Sequence, residues 1–307
     1  MTARLPSFSA LANRAQFPLR APTVPRGVDP LPGDKRTGAD YETDWARRKP
    51  ARAVRVLAVE GVMRPLAHVL ARPTVRGLDR LDDLEGPAIF AANHHSHVDT
   101  PLLLSTIPEP WQHRLVVAAA ADYFFGTRVT GALSALLIGA IPIERKTISR
   151  RSAELPADLV RDGWSLLIYP EGGRSKDGWG QPFRGGAAYL AAKTGVPIVP
   201  IHIGGTGRIL RKGRSLPSPS PSTVTFGDPM WPRAKDDARE VAARLEATVG
   251  ALADEVASDW WQARRRAHAA STPALAGPAA PAPWRRAWAL GDRTARDRAR
   301  RRRWPDF

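Results

Sequence analysis

Apolar residues recur at helical spacing from Ala51 to Ala71, at Val54, Leu57, Val62, Leu66 and Val69. Arg52, Arg55 and Arg64 interrupt them, so an amphipathic helix is predicted, able to pack on the core or to lie in a lipid interface. Packing on the core is the more frequent outcome. Pro65 should kink or split this helix. Downstream the period shortens. Val75–Leu78, Pro87–Ala92, Leu115–Ala121, Ala140–Ile143, Ser165–Tyr169, Val196–Ile203 and Val224–Phe226 read as short strands or buried apolar runs. The two prolines of Val196–Ile203 suggest an edge or irregular strand. A helix should start near Pro101, a second should fill Gly186–Thr194 and stop at Gly195, and a long one should run from Asp236 to about Ala270. Strands alternating with helices predict an α/β domain, a mixed sheet flanked by helices.

Residues 1–50 are rich in Pro and Arg and show no period, so they are read as a disordered segment. Residues 51–270 form the domain. Residues 271–307 combine an Ala/Pro linker with a basic Trp/Arg tail. No run of apolar residues approaches the roughly 18 needed to span a bilayer. The N-terminus lacks the apolar centre of a secretory signal, which suggests a cytoplasmic location.

Charge sharpens this division. The net formal charge is +16. Residues 1–55 hold 11 basic and 5 acidic side chains, and residues 284–307 hold 9 Arg and 3 Asp. Each end is therefore +6, and the middle only +4. Such ends attract polyanions, either an anionic membrane surface or nucleic acid. Trp284, Trp288 and Trp304 among the arginines fit a lipid interface. The chain has no Cys, which excludes disulfides, thiolate metal sites and a cysteine nucleophile.

Three turns carry candidate chemistry. Asn93-His94-His95-Ser96-His97-Val98-Asp99 follows a strand, and His94 and Asp99 can pair as a general base oriented by a carboxylate. The same turn reads as a His95, His97, Asp99 metal string, which gives a metallohydrolase as the alternative; no further ligand spacing supports a metal. Tyr169-Pro170-Glu171-Gly172-Gly173-Arg174-Ser175 ends another strand in a tight turn bearing a phosphate-binding type of cation. Arg145 ends a third apolar run, and Arg184 follows Phe183.

Together these blocks resemble, in order and spacing, the four motifs of the glycerophospholipid acyltransferase family, whose best-known type is 1-acyl-sn-glycerol-3-phosphate acyltransferase. NHHSHVD matches the family's NHxSxxD, Gly139–Arg145 its Arg-ending second block, YPEGGRS its FPEGTRS, and VPIVPI its VPIxPV-like fourth block. Phe183-Arg184-Gly185-Gly186 is similar to the FKxG that follows the third. The likeness covers about 72–232. It implies His94 and Asp99 as catalytic residues and Ser96, Arg145, Glu171, Gly172, Arg174 and Arg184 as substrate-binding ones. It implies acyl-CoA or acyl carrier protein as donor, a lysophospholipid as acceptor, no cofactor, no metal, no nucleic acid, and a cytoplasmic enzyme peripheral to the membrane. The apolar run 196–201 is a candidate wall for the acyl chain. Gly173 stands where the family has Thr, and Tyr169 where it has Phe.

Overall fold

Ile89–Ala92 is buried at every position, as expected of a strand covered on both faces rather than on one. It is β2 of a sheet whose other strands are β1 (Pro73–Arg76), β3 (Leu115–Ala120), β4 (Ala140–Ile143), β5 (Ser165–Ile168), β6 (Ile198–Gly204) and β7 (Ser222–Phe226). The computed structural model describes residues 38–144, 153–175, 179–210 and 216–276. The strand order is β1-β7-β6-β2-β5-β3-β4. All neighbours are parallel except β6 and β7. The sheet is thus mixed. The C-terminal ends of β2, β3, β4 and β5 share one edge, where reactive loops gather in α/β folds.

Successive residues of β2 serve opposite cores. Phe90 and Ala92 pack with Leu102, Leu103, Ile107 and Phe226, whereas Ile89 and Ala91 pack with Ile141, Val160, Ala187 and Leu245. α1 (Lys49–Ala58) leads into α2 (Arg64–Ala71), and the first core lies beneath α2 and α3 (Asp99–Thr106). The short α4 (Ala121–Phe124) and α5 (Arg128–Ile138) follow β3. The second core lies beneath α6 (Glu154–Arg161), α7 (Gly186–Thr194) and α9 (Ala238–Ala257); α8 is the single turn Thr206–Ile209, and α10 is Trp260–His268.

Several expectations change. Val196–Ile203 is not an edge: β6 lies inside the sheet, between β7 and β2. Its irregularity is real. Ile198 bridges Met230 and Ile201 pairs Phe226, so two residues face three across Pro200, which has no N–H to donate. The carbonyl of Pro200 accepts from Gly227 N at 2.8 Å. The helix expected over 236–270 breaks at Ser258, because the Asp259 side chain accepts from Gln262 N and caps a new helix. Residues 38–50, read with the disordered segment, pack on the domain: Thr43 and Ala46 are buried and the Tyr41 and Phe125 rings lie 5.3 Å apart.

The 51–71 region is helical, but Val54, Leu57, Val62, Leu66 and Val69 face outward, Leu57 being 73% and Val69 65% exposed. The expectation that this stripe packs on the core does not hold. What packs inward is Val59, Ala67, Ala71 and Arg55. The Arg55 guanidinium donates to the carbonyls of Ala46, Ala135 and Leu136, tying α1 to the last turn of α5. Between α1 and α2 the chain makes a π-helical turn, Val59–Met63, just before Pro65. Among the described residues no helix is long and apolar enough to cross a membrane.

Candidate active site

The turn after β2 is held from all sides. Asn93 is fully buried and bonds β6 twice, its Nδ2 donating to Ile203 O at 2.8 Å and its Oδ1 accepting from Ile203 N at 2.7 Å. Ser96 is also buried; its hydroxyl donates to Leu210 O at 2.8 Å and accepts from Val98 N. Asp99 opens α3 with 0% exposure. Its Oδ2 accepts from His94 Nδ1 at 2.9 Å, His95 N at 2.7 Å and Ser96 N at 2.8 Å. Burial opposes charge on this carboxyl, yet the hydrogen bond and charge of His94 and the Ser96 N–H together hold it below the usual carboxylate range. An ionised Asp99 takes the proton-bearing Nδ1 and leaves Nε2 of His94 as the basic nitrogen.

The Tyr169–Ser175 turn after β5 meets this one directly. Ser175 N donates to His94 O at 2.9 Å. Glu171 is 1% exposed; one oxygen accepts from His94 N at 2.8 Å and the other from Gln181 N at 3.0 Å. Burial raises its carboxyl to about 7 against the pull of those two donors. The Tyr169 ring stacks on the imidazole of His94, centroids 4.0 Å apart and planes 16° from parallel.

A cavity of about 580 Å³ opens at this meeting point. His94, His97, Tyr123, Tyr169, Arg174 and Arg184 line its polar part, and Ala118, Phe124, Ile138, Ile143, Ile168 and Leu190 its apolar part. Gly172 has φ +71°, and a side chain there would come 3.1 Å from the Arg184 guanidinium, so glycine lets that cation lie over the backbone. Burial, then the charge of Arg174, lowers the pKa of His97, whose Nε2 lies 3.2 Å from Tyr123 Oη.

The predicted residues thus divide. His94, Gly172, Arg174 and Arg184 share the cavity, and Asp99 backs it. Ser96 and Glu171, expected to bind substrate, do not line it; both make hydrogen bonds that hold the 93–99 turn. Arg145 lies outside the described residues. Ile198, Val199 and Ile201 are fully buried in mid-sheet and wall no part of the cavity. The metal reading fares poorly. Asp99 Oδ2 already has three donors, His97 faces Tyr123, and no group of three or more potential ligands is assembled among the described residues. Sequence reading missed Tyr123 and the stacking of Tyr169, since both pairings join distant segments.

Residues 72–204 match the family model Acyltransferase. The chain is 35% identical over 141 residues to the chloroplastic 1-acyl-sn-glycerol-3-phosphate acyltransferase BAT2 of Brassica napus, covering 45% of this chain and 39% of that one. It is 35% identical over 130 residues to the human 1-acyl-sn-glycerol-3-phosphate acyltransferase beta, covering 41% and 44%. The chain thus spans less than half the length of these curated relatives. The crystal structure of the 1-acyl-sn-glycerophosphate acyltransferase PlsC from Thermotoga maritima shares the fold, with TM-score 0.54, 23% identity, and coverage of 71% of this chain and 84% of that one. Residues 72–204 are thus an acyltransferase-type region, similar to those of 1-acyl-sn-glycerol-3-phosphate acyltransferases.

Proposed function

We propose that this protein is an O-acyltransferase that moves a fatty acyl group from a CoA or acyl-carrier-protein thioester to a hydroxyl of lysophosphatidic acid or a related lysolipid. The observation that carries this reading is the His94 Nδ1···Asp99 Oδ2 bond of 2.9 Å at the wall of a mostly apolar cavity with one polar end. In the first step His94 Nε2 takes the proton of the acceptor hydroxyl while its oxygen attacks the thioester carbonyl. The carbon–sulfur bond then breaks, and the imidazolium returns the proton to the departing thiolate. Asp99 steadies the imidazolium between these events. Arg174 and Arg184 suit the acceptor's phosphate, Arg145 is a third candidate, and the apolar end suits an acyl chain.

We further propose that the protein works at an anionic membrane surface, peripherally and on the cytoplasmic side. The outward aliphatic side chains of α1 and α2, and the basic ends of the chain, support this. The test is a screen of acyl-CoA and acyl-carrier-protein donors against lysolipid acceptors in vesicles, read by mass spectrometry. A diacyl phospholipid made by the wild type and absent with His94→Ala is the expected result. Turnover unchanged in His94→Ala would end the mechanism, and no product with any pair would end the activity.

A further inference from the structure

A general base works only if its lone pair points at one place. The bond from His94 Nδ1 to Asp99 Oδ2 fixes a direction, but the imidazole can still swing about that line. Its plane is fixed by Tyr169, whose ring lies nearly parallel, 4.0 Å away. The Tyr169 ring is in turn held by its hydroxyl, 2.9 Å from Thr100 Oγ1. Thr100 is the neighbour of Asp99 on the first turn of α3. Burial raises the Tyr169 hydroxyl well above its usual range, so it keeps its proton and its hydrogen bond at all ordinary pH. His94, Asp99, Thr100 and Tyr169 therefore form a closed circuit: one link sets the line of the imidazole, the opposite link sets its plane. Both rings border the cavity, so a change of plane moves Nε2 relative to whatever occupies it.

We propose that Tyr169 is a positioning residue for His94, and that its tie to Thr100 sets the orientation of the base. This rests on His94 being the general base of the reaction above, and the experiment separates the two claims. Tyr169→Phe keeps the stacked ring and removes the tie. Thr100→Val removes the same tie from its other end. Each should lower kcat roughly 3- to 10-fold with KM unchanged, the scale of one hydrogen bond. The double variant should be no slower than the slower single, because both remove one interaction. Tyr169→Leu removes the ring and should lower kcat on the order of 10²-fold, as a misplaced catalytic group does.

A second readout does not depend on turnover. NMR relaxation of the ¹³C-labelled His94 ring, assigned with His94→Ala, should show a rigid imidazole in the wild type and a mobile one in Tyr169→Leu. The proposal is overturned if Tyr169→Leu keeps kcat within twofold of wild type, if its loss is confined to KM, or if the Phe and Val effects multiply. If Tyr169→Leu fails to fold by circular dichroism, the Phe/Val cycle decides alone. If the wild type transfers no acyl group, the functional reading falls, and unchanged ring relaxation in Tyr169→Phe and Tyr169→Leu would overturn the positioning claim separately.

Discussion

The turn at 93–99 and the helical run at 49–71 depart from ordinary burial in opposite senses. The turn takes a carboxylate, an amide and a hydroxyl out of water: Asn93, Ser96 and Asp99 each have 0% exposure. The run puts six aliphatic side chains into water, Val56 among them. Each departure costs free energy, but the compensation differs. Asn93, the Ser96 hydroxyl and Asp99 Oδ2 find donors or acceptors inside the chain, so most of this cost is offset on folding. Among the described residues, the exposed side chains of the run have no such cover. They are offset only if something outside covers them, which for this protein we propose is lipid. One region is satisfied mostly from within, while for the other we propose a partner outside.

That contrast can be broken at either end. The largest effect is expected from Asp99→Asn. An amide cannot accept as a carboxylate from His94 Nδ1, His95 N and Ser96 N, and it no longer steadies an imidazolium. Steady-state acyl transfer should fall about 10³-fold or more, as loss of an orienting carboxylate does elsewhere. A loss under tenfold would mean that the turn does not need its charge. Next comes the pair Leu57→Asp and Leu66→Asp. Burying one leucine in lipid is worth roughly 1.5–3 kcal/mol. The double variant should therefore lose vesicle affinity at least tenfold in cosedimentation, yet keep its turnover on detergent-dispersed acceptor within about twofold. Equal binding by wild type and variant would remove the lipid from this account.

The smallest effect concerns His202, a buried ring beneath α9 whose pKa falls to about 4, through burial first and then His95. Its folded value lies below the ordinary 6.5, so the stability it confers is present above pH 6.5 and is lost as pH falls towards 4. Between pH 7 and pH 5 the wild type should lose roughly 1–2 kcal/mol more than His202→Leu, measured by denaturant unfolding at both values. Parallel losses would show that the ring is not held neutral by burial.

The alternation of strands and helices was readable because each strand is short, apolar and bounded by Gly, Pro or a polar turn. That His94, Gly172, Arg174 and Arg184 would meet was readable because they sit in contiguous blocks at strand ends. Direction was not readable. Nothing in Tyr-Pro-Glu-Gly says that Glu171 turns back to the His94 N–H rather than out to the cavity, because that depends on a segment 77 residues away. The outward stripe of α1 and α2 was visible as a period, but periodicity names a face without saying what it meets. Prolines misled in β6, where a bulge opposite Pro200 lets an interior strand do without one donor.

The π-helical turn Val59–Met63 has a geometric consequence. Leu57 and Val69 are twelve positions apart, as are Val54 and Leu66. In a regular helix that separation is a rotation of about 120° beyond whole turns, enough to spread the stripe around the cylinder. A widened turn absorbs about one residue, or about 100°, and leaves each pair within about 20° of alignment. The extra residue ahead of Pro65 thus acts as a phase corrector, bringing two short half-stripes into one straight keel.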